Sequence, residues 1–230
     1  KMDYIDNERD FRHVTASLAG NVYANINQRE EDVAGVFENS LDLLQNSTNN
    51  TKENVKVNII VGEGSRKENT DGVVGYDYRT AGVLGLREVE RTYRHTFGYS
   101  LGYLHSGFEF NDGNDSEEWV DTIQLGIHNK YKSSGWELRN DLTGRVSFHN
   151  IDRNIDWPSP TGRSEMNGSY ETYSITSDNI FGKELSVGKN TSIVPYGALR
   201  AMYVTRPDFS ESGEESLKVE GNDAWSVKPR

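Results

Sequence analysis

The chain lacks cysteine altogether, which excludes disulfide frameworks, thiolate metal sites and cysteine nucleophiles. It also lacks a long apolar run, since the stretch around "VNII" at residues 57–60 is far shorter than the ~20 residues of a membrane-spanning helix. Basic residues are in the minority, 25 against 36 acidic residues for a net charge of −11, and they form no cluster suited to a phosphate backbone. We therefore expect no nucleic-acid partner and no membrane-crossing helix within these residues.

Hydrophobic residues are scarce as well, at 34% of the chain. Disorder does not explain this scarcity, because the chain has 12 Tyr and 4 Trp, and disordered chains are poor in aromatic residues. The combination indicates a folded chain in which apolar and polar residues alternate and the connections between elements are long and polar.

The first part of the chain has a helical pattern. Apolar residues recur every three or four positions between residues 7 and 45, with charged residues and asparagine between them. The pattern predicts one long helix or two helices in line over 7–45, and the stretch "QNSTNNTKEN" at 45–54 is expected to end it.

After that boundary the period changes to two, which is typical of β-strands. Seven segments alternate, at residues 55–62, 78–88, 92–110, 121–131, 136–149, 170–182 and 193–205, and an eighth begins at "AWSVKPR". In the second segment we assign Leu84 and Leu86 to the apolar face and Arg79 and Arg87 to the polar face. Long polar stretches and short turns alternate between the segments, which is typical of an outer-membrane meander.

Alternation alone allows a soluble β-sandwich or a membrane β-barrel. The segments are long, the polar faces carry glycine with arginine, and aromatic residues gather near segment ends, all of which favour the barrel. In the barrel, one set of side chains is predicted to face lipid: Leu138, Leu142, Val146, Phe148, Phe97, Tyr99, Leu101, Ile123 and Ile127. A second set is predicted to face a polar lumen: Arg94, Arg139, Arg145, Gln124 and His128.

Three stretches carry a family resemblance: "GYDYRTAGVLGLREVERTYRHTFGYSLGY", "PYGALRAMYV" and "SESGEESLKVEGNDAWSVKPR". In this order they resemble the autotransporter β-domain, the translocator of type V secretion in Gram-negative bacteria, over about residues 55–230. The resemblance implies an antiparallel up-and-down transmembrane barrel with an α-helix in its lumen. It further implies a role in exporting and displaying an N-terminal passenger, an adhesin being a common type, with outer-membrane lipid, barrel-assembly machinery and periplasmic chaperones as partners.

The resemblance also sets the expected domains. Residues 1–50 are predicted to be a linker and plug helix, and residues 51–230 a barrel that holds about eight of about twelve strands, without its last strands. A sheet of that extent cannot close by itself.

The site predicted from this reasoning is the contact between lumen cations and helix carboxylates. The cations are Lys56, Arg79, Arg87, Arg94, Lys130, Arg139, Arg145 and Arg200, and the carboxylates are Glu30, Glu31, Asp32, Glu38 and Asp42. Each cation could instead be hydrated or paired with a lumen carboxylate such as Asp141.

No catalytic or cofactor motif stands out. The five histidines have no metal-ligand spacing on a shared helix, and "GEGS" at residues 62–65 lacks the lysine of a phosphate loop. The acidic pairs Glu117–Glu118 and Glu214–Glu215 are interpreted as solvated loop residues. We expect neither an enzyme nor a bound cofactor or metal; the alternatives are a soluble β-sandwich binding module and an outer-membrane porin or barrel enzyme.

Overall fold

The computed structural model describes residues 1–47, 53–68, 73–188 and 191–229, in which two helices precede a large sheet. Helix α1 is Glu8–Leu18 and helix α2 is Ile26–Asn46, with a 3₁₀ turn at Asn21–Tyr23 between them. The helical pattern is interrupted at Gly20, whose φ of 70° is accessible to glycine and ends α1. The stretch predicted to end the helix falls largely on residues 48–52, outside the described residues. Neither described helix is long and apolar enough to cross a membrane.

Eight strands form one antiparallel sheet in sequence order. They are β1 (Glu53–Arg66), β2 (Tyr76–Thr92), β3 (His95–Phe110), β4 (Glu117–Ser133), β5 (Trp136–Trp157), β6 (Gly162–Lys183), β7 (Tyr196–Arg206) and β8 (Asn222–Pro229). Two short pairings lie outside the sheet, Leu185–Ser186 with Ser192–Ile193 and Phe209–Ser210 with Lys218–Val219. Within the described ranges β1 pairs only with β2 and β8 only with β7, so the sheet is open at both edges.

The two ends of the sheet differ in their connections. At the short-turn end, β2 joins β3 through Tyr93 and Arg94, and β4 joins β5 through Ser134 and Gly135. At the other, long-loop end, residues 150–169, which separate the fifth and sixth predicted segments and were expected to form a long polar connection, are not a loop. There β5 and β6 remain paired as far as Trp157 and Gly162. Alternation persists through this extension, but its apolar residues face the helices and its polar residues face water.

Helix α2 lies against one face of the sheet, which we call the inner face. Its apolar residues pack there with Leu84, Leu86 and Leu104. Most side chains predicted to face lipid are exposed on the opposite, outer face, for example Leu101 at 60% and Ile127 at 51%, while Phe97 and Val146 are half-buried. Gln124, His128 and Arg145 are buried on the inner face. The facing predicted for β3, β4 and β5 is therefore confirmed, except for Arg94.

The facing predicted for β2 was wrong. Leu84 and Leu86 point inward and are 0% and 1% exposed, whereas Arg79 and Arg87 are on the outer face. The register shows this directly, because Lys56 of the inner face is opposite Leu86. The reason is the helix: where α2 covers the strand, the inner face is apolar, so apolar character no longer distinguishes the lipid side.

Arg94 was also misplaced. It lies in the exposed turn between β2 and β3, with its guanidinium 4.9 Å from the ring centre of Tyr93. The predicted third segment was three residues too long at its start, because the turn carries the same alternation as the strand that follows it.

Candidate functional site: the helix inside the curved sheet

Helix α2 is seated by an apolar stripe at helical spacing. Val33, Phe37, Leu41 and Leu44 are each at most 6% exposed and pack against the inner-face leucines of β2 and β3. Gly102 of β3 makes room for Phe37, because a Cβ at this position would lie 2.6 Å from the phenylalanine ring. The position of α2 therefore depends on steric fit between its Phe37 ring and the glycine in β3.

A buried ionic cluster lies beside the first turns of α2. Arg29 Nε is 2.7 Å from Glu118 Oε2, and both side chains are at most 1% exposed. His149 is between two carboxylates, with Nδ1 3.2 Å from Glu118 Oε1 and Nε2 3.2 Å from Glu30 Oε1. Tyr170 stacks on His149 at 4.3 Å between ring centres and donates a hydrogen bond to Glu118. We call these five residues the buried cluster.

Buried charges are stable only when paired, because desolvation costs several kcal/mol for each ion. Each charged group of the buried cluster has such a partner on a different element: Arg29 and Glu30 on α2, Glu118 on β4 and His149 on β5. The cluster therefore fixes the rotation and the depth of the helix relative to the sheet.

At the short-turn end of the sheet, cationic side chains bind the C-terminal part of α2. Arg139 Nη2 is 2.6 Å from Asp42 Oδ1, and Arg200 Nε is 2.9 Å from Glu38 Oε1. Lys56 Nζ donates to the carbonyl oxygens of Leu44 and Ser47, each at 2.7 Å, and to Glu88 at 2.8 Å. Carbonyl groups at a helix C-terminus lack partners within the helix, so a lysine there both caps the helix and complements its dipole.

Two further ion pairs tie α2 to the outermost strands of the sheet. Asp32 accepts two hydrogen bonds from Arg66 of β1, at 2.9 and 2.6 Å. Its neighbour Glu31 accepts one from Lys228 of β8 at 2.5 Å. Helix α2 thus contacts both edge strands, β1 and β8. The two open edges of the sheet therefore lie on either side of the helix.

The long-loop end closes over the segment between the helices. Arg153 of β5 forms two hydrogen bonds with Glu211, at 2.7 and 2.6 Å, and donates to the carbonyl oxygen of Ser17. Tyr23 also donates to Glu211. Burial, followed by this hydrogen bond, raises the pKa of Tyr23 above its usual value, so the phenol stays protonated.

Helix α1 is held at the same end by apolar packing. Val14 packs with Ile155, Trp157 and Met166 of the extended β5–β6 hairpin. Lys1 is 2.5 Å from a carboxylate oxygen of Glu214 and of Glu215. Together with the Arg153–Glu211 pair, these contacts form what we call the loop clamp.

The predicted cations divide into three groups. Arg139, Arg200 and Lys56 contact α2. Lys130 lies on the inner face but pairs with Glu137 at 3.3 Å, and Arg145 is buried beside Gln124, with Nη1 3.0 Å from Oε1. The outward residues Arg79 and Arg87 and the turn residue Arg94 make no described contact with the helix; Arg87 donates to Tyr99 on the outer face.

Sequence reasoning missed the centre of the site. Glu118 was interpreted as a solvated loop residue, yet it is in β4 with 0% exposure. A signal was available, because Glu118 has the same even parity as Gln124 and His128, both predicted to point inward. Arg29, Arg66, Arg153, Glu211 and Lys228 were not singled out, since their partners are more than 30 residues away in the chain.

One family model and one solved structure agree with this geometry. The model of the autotransporter beta-domain family matches residues 55–230. The chain is similar in structure to the translocator domain of the autotransporter NalP from Neisseria meningitidis, with a TM-score of 0.73 and 17% identity over 90% of this chain and 69% of that one. The outer membrane transporter YddB from Escherichia coli aligns with a TM-score of 0.39 and 14% identity over 76% of this chain and 28% of that one. No curated protein sequence matches the chain.

The likeness to the NalP domain concerns the fold: a meandering sheet with a helix before its first strand. The family match is the stronger finding, because it extends over the whole sheet, from β1 onward. On this basis the chain belongs to the autotransporter β-domain family and is a translocator domain of the bacterial outer membrane.

Proposed function

We propose that this domain carries a passenger, attached before Lys1, to the bacterial surface and then keeps residues 1–50 as a linker and plug inside a barrel formed from residue 51 onward. The observation that supports this most directly is the path of α2. The helix runs along the inner face from the buried cluster, near the long-loop end, to Lys56 at the short-turn end, where the chain enters β1. A passenger joined to the N-terminus would therefore emerge at the long-loop end.

The interior fits retention of a helix better than catalysis. Polar groups of the buried cluster pair with one another rather than with an open space. An active site generally needs a group poised toward a substrate-sized space. We therefore propose transport and anchoring as the role of this interior.

For the passenger we infer an adhesin, because adhesins are a common passenger type in this family. We also infer that barrel-assembly machinery and periplasmic chaperones assist insertion, as a barrel with an apolar outer face must be kept from aggregating before it reaches the membrane. Binding of cells that display the passenger to host-cell monolayers tests the first inference. Depletion of the assembly machinery, with loss of the inserted form, tests the second.

The display proposal is tested with the full-length gene carrying an epitope directly before Lys1. Intact cells are stained for the epitope and treated with external protease, and barrel insertion is measured separately by resistance of the membrane fraction to urea extraction. We expect a surface-exposed, protease-sensitive epitope. An inserted barrel whose epitope stays in the periplasm would refute the proposal.

A further inference from the structure

The outer face carries a groove at the long-loop end that the helix interior does not involve. Its volume is about 660 Å³, and it is lined mainly by outward residues of β1 to β4. Trp119 lies flat on the sheet over Gly107, where a Cβ would come within 2.5 Å of the indole ring. The glycine therefore permits the flat position of the tryptophan, which is 45% exposed.

The indole is part of a supported platform. His105 stacks against Trp119 with an interplanar angle of 10° and ring centres 5.7 Å apart. An oxygen of Asp121 lies 2.8 Å from Nδ1 of this histidine and also accepts a hydrogen bond from Tyr103. A fixed aromatic face next to oriented hydrogen-bonding groups is a more specific arrangement than a single girdle tryptophan.

Polar groups surround this platform. Arg79 lies in the same register row as Gly107 and Trp119, and the next row towards the long loops contains Asp77, Glu109 and Glu117. Acyl chains cover such residues only at a cost, because an arginine on the lipid face of a barrel costs about 2–4 kcal/mol at the bilayer midplane, each carboxylate costs less, and all of them cost little at the membrane surface. The groove must therefore lie at the level of the lipid headgroups or above it.

The charge of the groove selects among headgroup chemistries. Its lining carries four carboxylates, those of Glu63, Asp77, Glu109 and Glu117, against one arginine, Arg79. Phosphate would be repelled by this balance, whereas hydroxyl and amino groups can donate to carboxylates. A flat aromatic ring additionally provides a surface on which the apolar face of a sugar ring can stack.

We propose that this groove binds a saccharide that presents hydroxyl or amino groups rather than phosphate. The sugar head of a glycolipid in the surface leaflet and a free oligosaccharide share this chemistry. The proposal concerns the outer face alone, so it does not depend on passenger export.

The test uses the full-length protein in detergent micelles and saturation-transfer NMR. The probes are the core oligosaccharide of a rough lipopolysaccharide, either dephosphorylated or with its phosphates, and lipid A without core sugars. We expect saturation transfer to the dephosphorylated oligosaccharide, roughly tenfold weaker binding by Trp119→Ala, and a similar loss with Gly107→Leu, which displaces the indole. The intact rough lipopolysaccharide is measured as a further probe. If it binds more strongly than the free oligosaccharide, the site belongs to the membrane leaflet, and equal binding would assign it to soluble glycans.

Trp225→Ala is the matched control, because Trp225 is also on the outer face, 73% exposed, but on β8, away from the groove. Its binding should equal that of the unchanged protein. The proposal is overturned if no oligosaccharide binds, or if Trp119→Ala and Trp225→Ala lose binding equally. It is also overturned if only the phosphorylated oligosaccharide binds, or if lipid A without core sugars binds as well as the oligosaccharide does. Retention of the heat-modifiable folded band on gels shows that each variant remains a barrel.

Discussion

At the scale of single residues, the contact between helix and sheet depends on a few side chains with no access to water. The Arg29–Glu118 pair is the clearest of these, since its two members are on α2 and β4 and its ion pair lies wholly inside the molecule. Pairing of this kind contributes little net stability over an apolar contact, but leaving one member alone is costly. Its role is thus to permit one helix position and penalise others.

We predict that Glu118→Ala lowers the free energy of unfolding by about 3–5 kcal/mol, because Arg29 then keeps a buried charge without its carboxylate. Urea unfolding of the protein in detergent micelles measures the loss. Glu8→Ala is the control: Glu8 pairs with Arg12 at 2.5 Å on α1, both side chains are 77% exposed, and the change should cost no more than about 0.5 kcal/mol. Equal effects of the two changes would contradict the buried-pair interpretation.

Two strand glycines provide a second residue-scale prediction. Gly102→Ala should destabilise the protein by about 1–3 kcal/mol, because the new Cβ would collide with Phe37. Gly85→Ala is the matched control on the outer face, where a Cβ meets only the carbonyl oxygen of Leu101 at 3.8 Å, so a change within about 0.5 kcal/mol is expected. In a Phe37→Leu background the cost of Gly102→Ala should fall. A cost that does not change there would place the collision elsewhere.

At the scale of elements, α2 and α1 are held in different ways. The C-terminal part of α2 is held by pairs that water reaches, such as Arg139–Asp42, in which Asp42 is 45% exposed. The segment around α1 is held by the loop clamp, whose Arg153–Glu211 pair is at most 1% exposed. Loss of the ion pairs at the C-terminal part of α2 should loosen α2 inside the sheet. Loss of the loop clamp should release α1 from the long-loop end.

Reversal of charge at Arg139 and Arg200 together, each to Glu, should raise the ion conductance of the full-length protein in a planar bilayer. The Arg139–Asp42 pair is partly exposed and contributes only about 0–1 kcal/mol. The other contacts of α2 remain after either single change, so each should have little effect by itself. Passenger display should stay normal, because insertion depends on the outer face. Arg94→Glu, in the exposed turn, is the control and should not alter conductance. Unchanged conductance in the double variant would mean that the apolar stripe and the remaining polar contacts hold α2 without these two pairs.

Glu211→Gln should expose α1 to external protease on intact cells, because Arg153 and Tyr23 both hydrogen-bond to this carboxylate. We expect cleavage within residues 1–20 to become at least several-fold faster. Asp156→Gln, which disturbs the exposed Arg163–Asp156 contact on the same hairpin, should leave the cleavage rate unchanged. Protection of α1 in both variants would mean that the clamp holds through its apolar contacts and the Lys1 ion pairs.

At the scale of the whole molecule, the sheet has one face toward lipid and one toward the interior that holds α2. Strand β2 gives the sharpest test of which face is which. Since the chain has no cysteine, single cysteines can be placed and spin-labelled at will. A label at Val83→Cys should be relaxed by oxygen dissolved in lipid, and one at Leu84→Cys should be shielded, because these residues are 40% and 0% exposed. The reverse result would restore the facing that alternation alone suggested for this strand.

What the sequence by itself determined about this protein is the alternation in β3, β4 and β5, the change from helical to strand period, and the family resemblance. The first two follow from local spacing, which a single strand or helix expresses without its neighbours. The resemblance rests on the three quoted stretches and their order along the chain. Leu101, Gln124 and His128 could therefore be assigned to their faces from position alone.

Only the tertiary structure decided which residues share the interior. β2 shows why: once α2 covers the inner face, Leu84 is buried by the helix rather than by lipid, and no local pattern distinguishes these two apolar environments. The same holds for Glu118. Its burial is tolerable only because Arg29, which is 89 positions away in the chain, supplies the opposing charge. Partners of this kind are chosen by the packing of distant elements, and the free energy of burying a charge depends on that packing rather than on neighbours in sequence.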